Sequence, residues 1–377
     1  MLKSKTLVSP VSTQVLPIVL TALTLRPERL ILLSTKKMEK FVAVVERALE
    51  LKGIDVERRE INPYSFSSIR EKTSSLQGSL FLLNCGTKFT AVNLYRLFPE
   101  NSIYYLPTGQ IVDFDGRPVA EVPENLVDVE LHSAAYGFKI LEERQDWKEI
   151  KERAPLTYKI ASNPLYQKLL TSLVHRGTVS FLPKELLPLL LELSIVKKVA
   201  GGYKVANPDY AGGKWLEELV ALELIKRGFY DVKLGVKLSW YGTEITNEVD
   251  VLGVKSNRLH LFSCKSGRNP KNLDKHLYEV EELTERIGGD FGRSFLIVSD
   301  EVAVESPPLK RDFPSAPDCP YHQCREEWKR YYKTPEGREY SELFGLYKRF
   351  SYLKRRAELL KVKVLSVSKF LKEGIDG

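Results

Sequence analysis

The chain of 377 residues is 43% hydrophobic and 28% charged, with a formal net charge of +8. That length exceeds one ordinary core and predicts two or three domains, and the balance excludes a disordered or repetitive protein. Four cysteines, Cys85, Cys264, Cys319 and Cys324, are too few for a disulfide framework, and no stretch approaches the roughly 18 apolar residues of a membrane span, so a cytoplasmic protein with no membrane partner is expected.

In chain order, residues 6–9 read as a strand, 10–14 as a polar loop and the apolar run to Leu25 as a helix. Residues 30–34 predict a second strand, 38–51 a helix closed by Gly53, and 56–61 a third strand, which is a βαβαβ rhythm. Residues 79–84 form an unbroken apolar strand. Cys85-Gly86-Thr87-Lys88 then leads into a helix through Leu97, and residues 103–106 are the next strand. Strands this apolar, separated by helices, predict a parallel sheet covered on both faces. Residues 1–150 are therefore expected to form a Rossmann-like, doubly wound α/β domain.

A turn at 113–116 precedes a strand at 119–122, and the charged stretch 142–153, ending near Pro155, predicts a linker. Residues 151–206 read as a connector of two helices and a hairpin, with Gly201-Gly202 turning between 195–199 and 203–205, an arrangement that resembles a winged helix. Residues 207–377 open with a helix at 214–227, then a hairpin over 246–265, a helix at 273–287 and an apolar strand at 294–299. The proline-rich stretch 306–320 predicts an irregular loop. Cys319, His322 and Cys324 offer three of the roughly four ligands that a zinc site needs, which disfavours zinc. Residues 321–377 hold 14 Lys plus Arg against 8 Asp plus Glu, a concentration of charge suited to phosphate contacts and equally to a solvated basic helix at 348–356.

The informative passage is Asn247-Glu248-Val249-Asp250-Val251-Leu252, followed by Leu259-His260-Leu261-Phe262-Ser263-Cys264-Lys265. Both runs alternate as strands do. A two-residue turn at Ser256-Asn257 would set Asp250 against Ser263 and Glu248 against Lys265, with all four side chains on one face. Carboxylates hold Mg²⁺ or Mn²⁺, the metal activates water, and a nearby cation offsets charge developing on a phosphate. Asp250 is the expected metal ligand. Lys265 either orients or deprotonates the attacking water or offsets transition-state charge. A surface Glu–Lys pair on an edge hairpin would leave the same residues.

The order helix, hairpin, helix, strand resembles the PD-(D/E)xK nuclease superfamily, which implies a restriction-endonuclease-like α/β/α domain. Gly213-Lys214-Trp215-Leu216-Glu217 is similar to the superfamily's Gly-x-x-aromatic/aliphatic-Glu helix, implying Glu217 as the upstream carboxylate, with Glu218 its neighbouring alternative. Ser263 stands where the superfamily has Glu or Asp before x-Lys, and a serine supplies no charged ligand. Some members are similar in carrying Ser-x-Lys with a glutamate relocated to the following helix. Here Glu279, Glu281 and Glu282 lie on that helix, and Glu248 is a second source on the hairpin; Glu248 and Glu279 are favoured. The implied metal ligands are Asp250, Glu248, Glu217 and Glu279, with Lys265 and Ser263 completing the catalytic set.

In a doubly wound sheet, ligands bind beyond the carboxyl ends of the strands. Two loops there are unusually polar. One offers Ser12, Thr13 and Gln14; the other combines Asn84, Gly86, Thr87 and Lys88, suited to phosphate at a helix start or to a plain helix cap. Neither Gly-x-Gly-x-x-Gly nor a Walker lysine motif is present, which disfavours a dinucleotide or a nucleoside triphosphate.

The whole order of Rossmann-like domain, connector and Ser-Cys-Lys nuclease resembles the CRISPR ancillary nucleases that pair a CRISPR-associated Rossmann fold (CARF) sensor with a PD-(D/E)xK effector. Residues 84–88 resemble that family's Gly-Gly-Thr-Lys loop, with Cys85 replacing the first glycine. The resemblance implies a homodimer whose sensors share one pocket for a cyclic oligoadenylate, most often cyclic tetra-adenylate, as allosteric activator. It also implies a Mn²⁺- or Mg²⁺-dependent endonuclease of type III CRISPR antiviral defence that nicks or degrades DNA, with single-stranded RNA as a second substrate. The competing readings are a cyclic-oligonucleotide-controlled transcriptional regulator with a degenerate nuclease fold, and an unregulated DNA repair or junction nuclease.

Overall fold

The computed structural model describes residues 5–144, 146–267, 273–308 and 329–375; Cys319, His322 and Cys324, on which the zinc reading fell, lie outside the described residues, as does most of the loop at 306–320. The chain divides into two compact units. The first comprises Met1–Arg144, Leu224–Leu261 and Glu282–Arg293, and the second Gln145–Glu223, Phe262–Glu281 and Ser294–Gly377.

The first unit begins β1 (Thr6–Pro10), α1 (Leu16–Leu25), β2 (Arg29–Ser34), α2 (Glu39–Glu50), β3 (Asp55–Glu60), α3 (Phe66–Thr73), β4 (Leu80–Leu82), α4 (Lys88–Leu97) and β5 (Ser102–Leu106). Two further strands, β6 (Gln110–Asp113) and β7 (Pro118–Glu121), extend the sheet to seven, in the order β3-β2-β1-β4-β5-β6-β7. Pairing is parallel from β3 to β5 and antiparallel at β6 and β7. Leu7, Leu30, Leu32, Leu80 and Leu82 enter one core with α1 and α2, whereas Val8, Ile31, Leu33, Phe81 and Leu83 enter another with Ile69 of α3 and Leu94 of α4. Both faces are buried, which is why these strands carry no polar alternation. After β7 come α5 (Val129–Tyr136) and β8 (Phe138–Glu142).

The second unit opens with α6 (Trp147–Ala161), which corrects the linker expected near Pro155. Asp146 caps this helix by accepting hydrogen bonds from the backbone N–H groups of Lys148 and Glu149 at 3.0 and 3.1 Å. Pro155 sits on the exposed side of the helix, where the cost of its missing N–H is least. The connector then runs α7 (Pro164–Arg176), β9 (Thr178–Val179), α8 (Leu187–Glu192), β10 (Val196–Val199) and β11 (Gly202–Val205). Its expected hairpin is present, and β9 adds a third strand in the order β10-β11-β9. A helical turn over Tyr210–Lys214 leads into α9 (Trp215–Lys226).

The chain returns to the first unit at Leu224, near the end of α9, and β12 (Asp231–Trp240) pairs antiparallel with β8 on one side and with β13 (Thr246–Lys255) on the other. Ser256 and Asn257 take φ of 48° and 60° between β13 and β14 (Arg258–Lys265), the paired left-handed residues of the expected two-residue hairpin turn. Asn257 is buried: its Oδ1 accepts from the N–H groups of Leu126 and Val127 at 2.8 and 3.0 Å, and its Nδ2 donates to the Pro123 carbonyl at 2.6 Å. The Tyr230 hydroxyl donates to the Val127 carbonyl, Val129 N–H donates to Asp231 at 2.7 Å, and Asp290 N–H donates to Gln14 Oε1 at 3.2 Å. Three separated stretches of chain thus build the first unit.

The remaining elements are α10 (Leu273–Gly288), β15 (Arg293–Val298), α11 (Pro335–Leu359), β16 (Val362–Ser366) and α12 (Val367–Glu373), with β15 and β16 parallel. No helix among the described residues is long and apolar enough to cross a membrane.

Candidate functional site

The strand order reverses between β1 and β4, and a cavity of about 960 Å³ opens beyond the carboxyl ends of β1, β2 and β3 beside that switch. Four of the seven residues expected to meet a ligand line it: Ser12, Thr13, Gly86 and Thr87. Thr87 also caps α4, accepting from Thr90 N–H at 3.1 Å, so the cap and ligand readings of this residue coexist. Gly86 has a φ of +84°, and a Cβ there would stand 2.6 Å from Pro10 Cβ. Left-handed backbone and close packing against the end of β1 both require glycine.

The other three expected residues are placed differently. Asn84 bridges to the next strand, donating to the Tyr105 carbonyl at 2.9 Å and accepting from Tyr105 N–H at 2.6 Å. Gln14 turns its side chain to Asp290, and Lys88 is exposed outside the cavity lining. Cys85, which replaces the expected glycine, is buried and donates its thiol to the Gln14 carbonyl at 3.0 Å, tying the two polar loops together. Burial pushes that thiol up to about 11, so it stays protonated and keeps this bond.

Sequence reasoning missed the cationic part of the cavity. Lys36 and Lys37 follow β2 and Lys72 belongs to α3, while Asn62 and the exposed Tyr64 follow β3. The signal was available, because Lys36-Lys37 stands at the carboxyl end of a buried strand, where the fold rule places ligand loops.

The β13 strand buries Val249 and Val251 and turns Glu248 and Asp250 to the opposite face, Glu248 exposed and Asp250 half-buried. The register Leu234↔Val251 and Val236↔Val249 sets Gly235 across from Asp250. Gly235 has a φ of +56°, and a Cβ there would lie 2.5 Å from Arg144 Nε. Arg144 therefore crosses β12 where a side chain is missing. Its N–H donates to the carbonyls of Leu234 and Gly235, and its guanidinium stands 3.6 Å from Glu248. A cation beside these carboxylates was not foreseen; a glycine inside an alternating strand, as in Leu234-Gly235-Val236, is the sequence mark of such a close approach.

Glu217, Ser263, Lys265 and Glu279 belong to the second unit. Glu217 is half-buried in the first turn of α9. Glu218, its alternative, is buried and held by Arg153, whose Nη2 and Nε donate to Oε1 at 2.7 and 3.1 Å. Burial raises the Glu218 carboxyl above its usual range, against the pull of Arg153. A carboxylate occupied in this way is poorly suited to a metal, which leaves Glu217 as the candidate on this helix. Ser266, just beyond Lys265, donates to the Gly212 carbonyl at 2.6 Å, and a Cβ at Gly213 would stand 3.0 Å from the same hydroxyl. Ser263 is buried, and the Lys265 carbonyl accepts from Ser299 N–H at 3.1 Å. Glu279 is exposed and pairs along its own helix with Lys275 at 3.3 Å and His276 at 3.0 Å.

Among the described residues, no group of three or more His, Cys, Asp or Glu side chains could hold a metal ion. Magnesium does not demand such a cage, since it keeps several waters and is bound through one or two carboxylates plus substrate phosphate oxygens. Glu248 and Asp250, two positions apart on one face, fit that donor set.

Family models locate both halves. The Card1 CARF domain matches residues 6–117 and the Card1-like endonuclease domain matches residues 206–305. The chain joins a CARF domain to a Card1-like endonuclease domain. The CARF domain contains all seven expected ligand residues, and the endonuclease domain contains Glu217, Glu248, Asp250, Ser263, Lys265 and Glu279.

Among solved structures, Can2 from Sulfobacillus thermosulfidooxidans, in complex with cyclic tetra-adenylate, is similar at a TM-score of 0.73 and 19% identity, covering 100% of this chain and 99% of that one. Protein VC1899 from Vibrio cholerae is similar at a TM-score of 0.64 and 19% identity, covering 93% and 98%. A type III CRISPR defence DNA nuclease activated by cyclic oligoadenylate is similar at a TM-score of 0.55 and 22% identity, covering 78% of this chain and 45% of that one. At these identities the likeness is one of fold. No curated protein matches the sequence.

Proposed function

We propose that this chain is a metal-dependent endonuclease of type III CRISPR defence, switched on by a cyclic oligoadenylate bound to its CARF domain. The observation that carries the reading is the cavity at the strand-order switch. It combines Lys36, Lys37 and Lys72 with the hydroxyl-bearing Ser12, Thr13 and Thr87, and Gly86 lines it without a side chain. Phosphate groups are served by cations, hydroxyls and a helix start together, and Thr87 caps such a start. Cyclic tetra-adenylate is the proposed activator, and the similarity to Can2, solved with that ligand, supports it. A ring of repeated nucleotides suits a homodimer in which each copy offers the same residues. Conversion of an idle population of about 1:99 to 99:1 would take roughly 5.5 kcal/mol of differential binding.

DNA is the proposed substrate, with single-stranded RNA as a second. When bound, Mg²⁺ or Mn²⁺ supplies an activated water and polarises the phosphate. Asp250 and Glu248 would hold it, and Glu217 and Glu279 are the proposed additional carboxylates. Lys265, two residues after Ser263 on β14, is the proposed group that orients the water or offsets phosphorane charge, and Ser263 is the neutral member of the proposed set.

The experiment is cleavage of plasmid and of single-stranded RNA in Mn²⁺, with and without cyclic tetra-adenylate, by wild type, Asp250→Ala and Lys265→Ala. Cutting should require the ring and the metal, and each substitution should slow it about 10²-fold or more. Equal rates with and without the ring would remove the activator. Wild-type rates in either variant would remove the catalytic assignment.

A further inference from the structure

The carboxy-terminal half of α11 bears a face that the proposed chemistry leaves unused. Between Leu343 and Ala357 the sequence holds Lys348, Arg349, Lys354, Arg355 and Arg356 and no acid, whereas the preceding turns carry Glu336, Glu339 and Glu342. Helical spacing puts Phe350, Leu353 and Ala357 on one side, and these are buried. Phe344, Lys348, Tyr352 and Arg355 fall on the opposite side, with Lys348, Tyr352 and Arg355 exposed. Over the eleven steps from Phe344 to Arg355 this ridge runs about 16 Å, at roughly 1.5 Å per residue.

Rings and cations are interleaved along it. Lys348 Nζ lies 4.6 Å over the Phe344 ring. Arg356 donates to the Tyr352 hydroxyl at 2.7 Å and to that of Tyr278, and faces Asp274 at 3.7 Å, which fixes the Tyr352 ring while leaving the residue 47% exposed. A groove of about 640 Å³ runs beside Tyr347, Lys348, Tyr352 and Arg355. Glu305, its one carboxylate among the described residues, is neutralised by Lys354 at 3.1 Å. Among the described residues, Lys348, Arg349 and Arg355 have no ion-pair partner.

A basic helix kept only for solubility has no use for a fixed, half-exposed tyrosine among unpaired cations. A single polynucleotide strand does, because its phosphates seek the cations and its unpaired bases stack on an aromatic face, whichever base is present. We propose that this ridge of α11 binds a single strand of the substrate, with phosphates at Lys348, Arg349 and Arg355 and a base on Tyr352. The inference rests on the nuclease reading for its biological sense, but binding is measured independently of cutting.

The test uses the full-length Asp250→Ala protein, so that the probe stays intact, and fluorescence anisotropy with a labelled single-stranded DNA oligonucleotide across a range of salt. RNA of the same sequence and the DNA duplex form separate arms. Lys348→Glu with Arg355→Glu should weaken single-strand binding at least tenfold. It should also reduce the slope of log affinity against log salt by about 1.4, at roughly 0.7 for each phosphate no longer neutralised. Tyr352→Leu should weaken binding about fivefold or more, and Tyr352→Phe should restore it, with melting temperatures confirming that each variant folds.

In a background with Asp250 intact, the charge reversal should raise KM with kcat little changed. Wild-type affinity and salt slope in the charge-reversed protein overturn the proposal, as does a wild type that fails to bind either strand. Equal losses for duplex and single strand, or Tyr352→Leu binding like wild type, overturn its single-strand form. A protein that binds as described but never cuts would leave this surface standing and remove the nuclease reading.

Discussion

Gly86→Ala is a sharp probe of the ligand cavity, because the structure gives two separate reasons for the glycine. At a φ of +84° left-handed backbone costs an L-residue about 1–2 kcal/mol. The new Cβ also meets Pro10 Cβ at 2.6 Å, a backbone-anchored neighbour in the terminal residue of β1, and overpacking of that kind costs about 1–3 kcal/mol. The substitution should therefore destabilise the first unit by about 2–5 kcal/mol, read as a lower urea midpoint. Relief of the clash moves residues that line the cavity, so calorimetric titration should find cyclic tetra-adenylate binding at least tenfold weaker, about 1.4 kcal/mol. Pro10→Ala in the same chain leaves the Cβ clash and the φ penalty in place, whereas Pro10→Gly removes the clash alone. Partial recovery in Gly86→Ala/Pro10→Gly, measured as a double-mutant cycle, would divide the two costs. A Gly86→Ala protein that unfolds and binds like wild type would refute both.

Two further outcomes follow from buried charge. Arg153→Met strands the buried Glu218 carboxylate and should cost about 3–5 kcal/mol in urea unfolding, most of it regained by adding Glu218→Leu; no loss in the single variant would sink the argument. His132 and His260 are both pushed down to about 4 by burial, from 6.5, so between those values the unfolded chain binds more protons than the folded one. Their contribution is fully present above pH 6.5 and is lost as pH falls towards 4, by up to about 3 kcal/mol each, at roughly 1.36 kcal/mol per unit. Urea midpoints at pH 7 and 4.5 should converge in a His132→Gln/His260→Gln chain, and an unchanged pH dependence there would refute the assignment.

The parts of the fold that the sequence made legible are those where one physical requirement dominates. Residues 30–34 and 79–84 must bury both faces, so they can be little but strand, and the turn at Ser256-Asn257 must host two left-handed residues. Residues 231–240 alternate just as clearly, but Gly235 interrupts them to admit Arg144, and that long-range cause has no local trace beyond the glycine. The charged stretch 142–153 read as a linker ending near Pro155, yet Asp146 caps a helix that runs through the proline, which stands on its exposed side. The candidate sites divide in the same way. Ser12, Thr13, Gly86 and Thr87 follow from strand ends, whereas the diversion of Gln14 to Asp290 and of Asn84 to Tyr105 depends on partners that only the folded chain brings near.

The way Asn257 and Asp290 are used has a consequence for how the protein is made. Asn257 satisfies three backbone groups in residues 123–127, and Asp290 reaches Gln14 across 276 positions of sequence. An emerging polypeptide that has delivered only its first 144 residues still lacks β12, β13 and the segment Glu282–Arg293 that complete this unit. Contacts so distant in sequence close slowly, and a nascent chain leaves the ribosome at roughly 5–20 residues per second. The amino-terminal unit therefore cannot finish folding until the greater part of the endonuclease domain has been synthesised.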